Sequence, residues 1–491
     1  MSHYDAIIIG AGMSGLAAGI RLAMYDRRVV VLEKHYVWGG LNSFYRFKGH
    51  QFDVGLHAMT NYAPRGARGA PLSRLLRQLR IRWEELDLHQ QGHSSISFPG
   101  VKLKFSNDFE MLRAEIARVF PSQIDGFDAL AREINAFDEM NLDAPRQDAR
   151  PIVRRHITDS LLEDMLFCPL MFYGSAREHD MDWDQFVVMF KSIFRQGLAR
   201  PHHGVRHVLK LMIERLRKAG GELRLRTGVA RILTDGARAT GVALDCGETL
   251  TADSVLSSAG LVETTRLAGA TLASPVSQTA LAGDASVAPT GRLSFTESIS
   301  VLDCPAKQLG IEETIVFFSN RVPFEYACPE TDVDVSSGVI CMPGNFELTR
   351  EPRDHLVRIT NIANYNRWAG KRHAGDASVT PKDEYSQSKS HWYARSCQAA
   401  LCHIADFRPH VKLVDMFTPR TIRHFTGHEA GAVYGSPRKL RTGATGIEGL
   451  YLMGTDQGFL GIIGAALSGI SMANKWVLQR EQESSLAASR E

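Results

Sequence analysis

The sequence lacks any apolar run long enough to cross a bilayer. Nothing in its 491 residues approaches the roughly 18 consecutive apolar positions of a spanning helix, and the nine residues from Phe459 to Leu467 include two glycines. Any membrane contact is therefore expected to be peripheral. Cysteine chemistry is also scarce. Cys168, Cys246, Cys304, Cys328, Cys341, Cys397 and Cys402 contain no C-x-x-C pair and no His/Cys group at zinc spacing. They read as scattered reduced thiols of a cytosolic protein, and no metal is expected. A net charge of only +3 gives no reason to expect nucleic acid as a partner. An apolar strand beginning at about the fourth residue leaves no room for a leader, so the expected location is the cytoplasm, with a polar, flexible tail over 481–491.

What the sequence does contain begins at Tyr4-Asp5-Ala6-Ile7-Ile8-Ile9-Gly10-Ala11-Gly12-Met13-Ser14-Gly15. An apolar strand ends at Gly10 and a helix-compatible run follows. Gly10 allows the tight turn, Gly12 lets backbone approach a pyrophosphate, and Gly15 lets helix and strand pack closely. The helix start, at Met13 and Ser14, offers unpaired N–H groups and the positive end of its dipole to phosphate. A second strand, Arg28 to Leu32, delivers Glu33, 18 residues after Gly15, followed by Lys34. An acid there suits a free ribose 2′-hydroxyl and repels a 2′-phosphate.

Next come Gly39-Gly40-Leu41-Asn42 and then Phe52-Asp53-Val54-Gly55-Leu56-His57. Paired glycines, a short hairpin and Asp-x-Gly-x-His describe a loop that lays backbone amides along a flat cofactor. An NAD dehydrogenase has no need of this second glycine-rich stretch. The motifs together resemble the FAD-dependent amine oxidase superfamily, and within it the phytoene desaturase, carotenoid isomerase and retinol saturase branch. The resemblance implies FAD and an α/β fold: a Rossmann-type, glutathione-reductase-like FAD-binding domain with an inserted α+β substrate domain and a helical region. It also implies that backbone near Val229 reads the adenine edge and that Ser258, Ala259 and Gly260 pass the pyrophosphate. Asp456, in Gly454-Thr455-Asp456, matches the family acid that meets the ribityl chain. A final helix from Gly464 onward, with Ala465, Ala466, Ser468 and Gly469 permitting close approach, would present its N-terminal amides to the flavin ring. Gly461, Ile462, Ile463 and Ala466 are expected at the cofactor.

The FAD-binding parts are expected at 1–65, 201–265 and 421–480. A helical, substrate and membrane-facing candidate region fills 66–200, and a substrate domain fills 266–420. Between Asp53 and Glu84 there is no acid but there are six arginines: Arg65, Arg68, Arg74, Arg77, Arg80 and Arg82. Leu72, Leu75, Leu76 and Leu79 recur beside them at helical spacing, which suits either a lipid surface or a solvated arginine face over a core-facing stripe. Phe186 to Phe194 suits a buried helix, a tunnel wall or a membrane-dipping element.

The expected activity is an FAD-dependent oxidoreductase on a long apolar isoprenoid or carotenoid-like substrate, desaturating it by hydride transfer. A redox-neutral isomerase or saturase on the same scaffold is the first alternative. An amine oxidase and a non-catalytic lipid escort are the others. Nothing in the sequence suggests an aromatic cage for an ammonium group, and the intact glycines argue against an escort. Candidate acid–base residues are His57, His428 and Glu429.

Overall fold

A computed structural model describes residues 2–55, 58–138, 145–269, 293–371 and 383–479, so the tail at 481–491 lies outside the described residues. The first of two large sheets is built on Ser2–Ile9, flanked by Val29–Leu32 on one side and Thr249–Ser257 on the other. Glu222–Arg224 lies beyond the former and Leu450–Leu452 beyond the latter, all parallel. Counted along the chain, these five strands have the spatial order 3-2-1-4-5. A hairpin of Val229–Asp235 and Arg238–Leu244 extends the sheet through antiparallel pairing.

The parallel strands are apolar on both faces because helices and the hairpin cover both: Ile7, Ile8, Val30 and Val31 are all fully buried. The helices Met13–Ala23 and Gly461–Ala473 meet almost backbone to backbone, since a Cβ on Gly469 would overlap the Ser14 carbonyl oxygen. This is the α/β dinucleotide-binding arrangement, and its strand order reverses between Ser2–Ile9 and Thr249–Ser257. Ligands in such sheets bind beyond the carboxyl ends of the strands at that reversal.

The second sheet runs Val411–Phe417, Leu293–Leu302, His355–Asn364, Val333–Cys341, Ile315–Ser319, Ser94–Phe98 and Val101–Phe105. Ile315–Ser319 pairs with Ser94–Phe98 in parallel and the other pairs are antiparallel. Its last two strands come from the stretch read as mainly helical; each is only five residues long, too short to show a period. Alternation along Leu293–Leu302 sends Leu293, Phe295, Ile299 and Val301 into a cluster with Phe167, Phe172, Phe186, Phe190 and Phe194. The Glu384–Ala400 helix packs on the opposite face, where the Tyr393 and Ser300 hydroxyls meet at 2.8 Å.

Two surface readings resolve as core. In the helix Pro71–Leu79 the four leucines are buried against Leu16, Ile20 and Ile470 of the cofactor domain, so that stripe is not available to lipid. Arg65, Arg68, Arg74, Arg77, Arg80 and Arg82 remain exposed. Trp183–Phe190 and the wider turn Lys191–Arg195 carry Phe186, Phe190 and Phe194 into the large aromatic cluster, which leaves no apolar face to dip into a membrane. Among the described residues no helix is long and apolar enough to span a bilayer.

Candidate active site

At the carboxyl end of Ser2–Ile9 the chain turns on Gly10 at φ 97° and starts the helix Met13–Ala23 without a side-chain cap. The first-turn N–H groups thus have no side chain bound across them. A Cβ on Gly10 would overlap the Ser258 hydroxyl, whereas one on Gly12 would meet nothing within 4 Å. Gly12 faces a cavity of about 420 Å³. Gly15 does not line it, because a Cβ there would overlap the Gly10 carbonyl oxygen, so its role is packing.

Gly10, Gly12, Met13, Ser14, Glu33, Lys34, Gly39, Gly40, Leu41 and Asn42 line this cavity, as do Val229, Ser258, Ala259, His428, Gly454, Gly461 and Ile462. Gly39 adopts φ 111° and donates its N–H to the Ala11 carbonyl at 2.9 Å, which seats the Gly-Gly loop on the first glycine turn. Glu33 accepts the Ala11 N–H at 2.8 Å and the His35 N–H at 2.9 Å. Burial pushes its carboxyl above the usual range, against the opposing pull of those two donors.

Several expected positions stand back from the cavity. Ile463 and Ala466 are buried between helices, and Gly260 caps the helix Leu261–Leu267. Asp456 is buried with its carboxylate accepting the Leu261 and Ser436 N–H groups, each at 2.6 Å. It thus ties two cavity-wall segments together and lies off the wall itself. Glu429 pairs with Arg266 at 3.0 Å and lines a separate surface groove with Glu178, Arg321 and Tyr365. His428 is on the wall: its Nδ1 must donate to the Ala432 carbonyl at 2.9 Å, which leaves Nε2 as the acceptor of a neutral ring. His57 and Leu56 lie outside the described residues.

The cavity adjoins a chamber of about 30 Å³ lined by Phe172, Phe295, Phe417, Ile422, Glu297 and Thr360, with Leu41, Gly55, Val433 and Tyr434 on both walls. Tyr173 and Tyr434 also line the cavity. Both are buried on the cavity wall, burial pushes both phenols up, and the Tyr434 hydroxyl donates to the Phe172 carbonyl. Glu263 and Arg266 also line the cavity; their spacing of three on one helix was the available signal.

A long cavity at a strand-order reversal, with an open glycine, an uncapped helix end and an acid at the second strand, fits a dinucleotide with a flat ring system. Residues 13–269, more than half of the chain, match the family described as flavin containing amine oxidoreductase. The chain belongs to this family. It is an FAD-dependent oxidoreductase. Over 96% of its length the flavoprotein is 23% identical to prolycopene isomerase of Arabidopsis thaliana, of which 82% is covered. It is also 23% identical to all-trans-retinol 13,14-reductase of Danio rerio, over 97% of this chain and 86% of that one. Phytoene desaturase (neurosporene-forming) of Rhodobacter capsulatus is 28% identical over 52% of each chain. In fold it resembles an oxidoreductase from Methanosarcina mazei, with TM-score 0.65, 16% identity and coverage of 96% of this chain and 100% of that one. Putrescine oxidase bound to putrescine gives TM-score 0.62 at 16% identity, covering 96% and 98%.

Proposed function

We propose that this flavoprotein desaturates a long apolar isoprenoid or carotenoid-like substrate, with hydride and proton leaving adjacent carbons. The observation that supports this reading is the aromatic wall next to the cofactor cavity, where Phe172, Phe295 and Phe417 stand beside Leu41 and Tyr434. An allylic C–H bond has no polar handle, so its position is set by apolar area and shape.

When bound, FAD supplies the hydride acceptor. Gly12, the amides of Met13 and Ser14, Glu33, the Gly39-Gly40 turn, and the backbone at Val229, Ser258 and Ala259 would hold its nucleotide half. Gly454, just past the strand Leu450–Leu452, and Gly461 and Ile462, at the start of the last helix, would meet its ring. Leu41, Phe172 and Phe295 keep water from the reacting carbons. His428, with Nδ1 held by Ala432, has Nε2 available to take a proton at the wall.

A second reading has its own support. The similarity to proteins named prolycopene isomerase and all-trans-retinol 13,14-reductase runs over 96% and 97% of the chain, whereas that to the Rhodobacter capsulatus phytoene desaturase covers 52%. A redox-neutral isomerase or a saturase is therefore the alternative on the same polyene class. Amine oxidation has less behind it, because Arg358 neutralises the chamber's carboxylate, Glu297, and leaves no net negative charge for an ammonium group.

Anaerobic visible spectra of the holoenzyme with a panel of detergent-dispersed isoprenoids and, separately, diamines test these readings. Bleaching of the flavin band by a polyene is the expected result. Double-bond isomerisation or saturation only after chemical reduction would favour the second reading, and bleaching by diamines alone would overturn both.

A further inference from the structure

The strand Leu293–Leu302 ends opposite Val411–Phe417, the edge strand of the second sheet, with Leu302 facing Val411. One step further the Asp303 N–H donates to the His410 carbonyl at 3.0 Å. That pairing brings His410 beside the consecutive residues Asp303 and Cys304, from which it is remote in sequence. His410 Nδ1 lies 2.9 Å from Asp303 Oδ1 and 3.7 Å from Cys304 Sγ, and the three donor atoms are within 4.8 Å of one another. Among the described residues no other group of three His, Cys, Asp or Glu side chains converges in this way.

We propose that Asp303, Cys304 and His410 bind a divalent transition-metal ion, of which zinc best matches the donors. A tetrahedral ion with bonds of about 2.0–2.3 Å places its ligands roughly 3.3–3.7 Å apart, close to the spacing already present. One thiolate, one imidazole and one carboxylate suit zinc. Magnesium and calcium take oxygen donors throughout. Asp303 is exposed and the other two are half-buried, which gives an ion a path in and leaves a fourth position for water. On binding, the thiol releases its proton to solvent and His410 coordinates as the neutral ring through Nδ1. The ion would fasten the edge strand to its neighbour. That strand leads through Thr418 into the helix Pro419–Thr426, whose Phe425 and Thr426 line the cofactor cavity, so the clip would brace that wall.

Zinc titration of the metal-free holoenzyme against a chromophoric chelator, with cobalt as a spectroscopic substitute, tests this. The expected result is one equivalent bound, a sulfur-to-cobalt charge-transfer band and a raised melting temperature. Cys304→Ser and His410→Ala should each weaken binding at least 100-fold and remove the band while keeping the flavin. Cys246→Ser and Cys402→Ser, which alter exposed thiols elsewhere, should change nothing. Absence of stoichiometric binding, or its loss in the Cys246 or Cys402 variants and not in the Cys304 variant, would overturn the site.

Discussion

Arg358 and Glu297 form an ion pair that is almost wholly buried, with 1% and 2% of their side chains exposed, at the chamber beside the cofactor cavity. Arg358 also donates to the Asp53 carbonyl at 2.8 Å, and the Asp53 carboxylate accepts from Arg200 at 2.9 Å and from Arg206. The F-D-x-G acid is thus tied through its carbonyl to the buried ion pair of the second sheet and through its carboxylate to Arg200 and Arg206. Removing one member of a buried pair is expected to cost far more than replacing both with apolar or neutral groups.

Arg358→Met should lower stability by about 3–5 kcal/mol, and Arg358→Met combined with Glu297→Gln should recover a large part of that loss. Urea unfolding of the four members of the cycle is the measurement. A double variant no more stable than Arg358→Met would mean that the pair's charges are not what the fold depends on.

Gly12 and Gly15 should fail differently when changed to alanine. Gly12→Ala adds a methyl group where only the cavity lies, so the apoprotein should fold normally while FAD binds at least about tenfold more weakly, a loss on the order of 1.4 kcal/mol. Gly15→Ala drives a methyl group into the Gly10 carbonyl, a backbone atom without a cheap escape, and should cost the apoprotein roughly 1–3 kcal/mol. Apoprotein melting and flavin titration separate the two effects. Equal melting losses in both variants would contradict the division of roles.

These glycines were legible in the sequence because their requirement is local: a strand, a turn and a helix within fifteen residues. Glu33 was legible for the same reason. The Glu297–Arg358 pair was not, since its members sit 61 residues apart on neighbouring strands, and only the register that sets Glu297 opposite Thr360 places them side by side. Glu429 is marked in the sequence by its place ahead of the last strand, and Asp456 by the family resemblance. The chain then turned the first toward Arg266 and closed the second between two loops. Leu72 to Leu79 shows the limit of periodicity: spacing identifies one apolar face but not whether core or lipid covers it.

His403 supplies a pH test. Its Nδ1 accepts the Ser97 hydroxyl at 2.8 Å and its Nε2–H donates to Asn320 Oδ1 at 3.0 Å, so the folded state holds it neutral. Burial first, and the charge of Lys102 second, pull it down to about 4. Since the unfolded chain has the higher value, it binds the proton more readily. The stabilisation is therefore complete above about pH 6.5 and is lost as the pH falls toward 4, by up to ~3 kcal/mol. His403→Gln should flatten that part of the stability–pH curve. An unchanged acid slope would assign the loss to other groups.

The helix Pro71–Leu79 leaves one surface property to test. Its leucines are packed on the cofactor domain, so any membrane affinity of this face must come from the exposed Arg74, Arg77 and neighbouring Arg68 and Arg80. Arginines near an anionic surface contribute about 1 kcal/mol each and are screened over a Debye length of roughly 8 Å at physiological salt. Sedimentation with vesicles should therefore find binding that requires anionic lipid and falls as salt rises. Arg74→Glu with Arg77→Glu, which removes two attractions and adds two repulsions, should weaken it by more than about 30-fold. Because neither side chain touches the core, flavin content and melting temperature should stay the same. Binding that persists with neutral vesicles or in high salt would require an apolar contact that this helix does not offer.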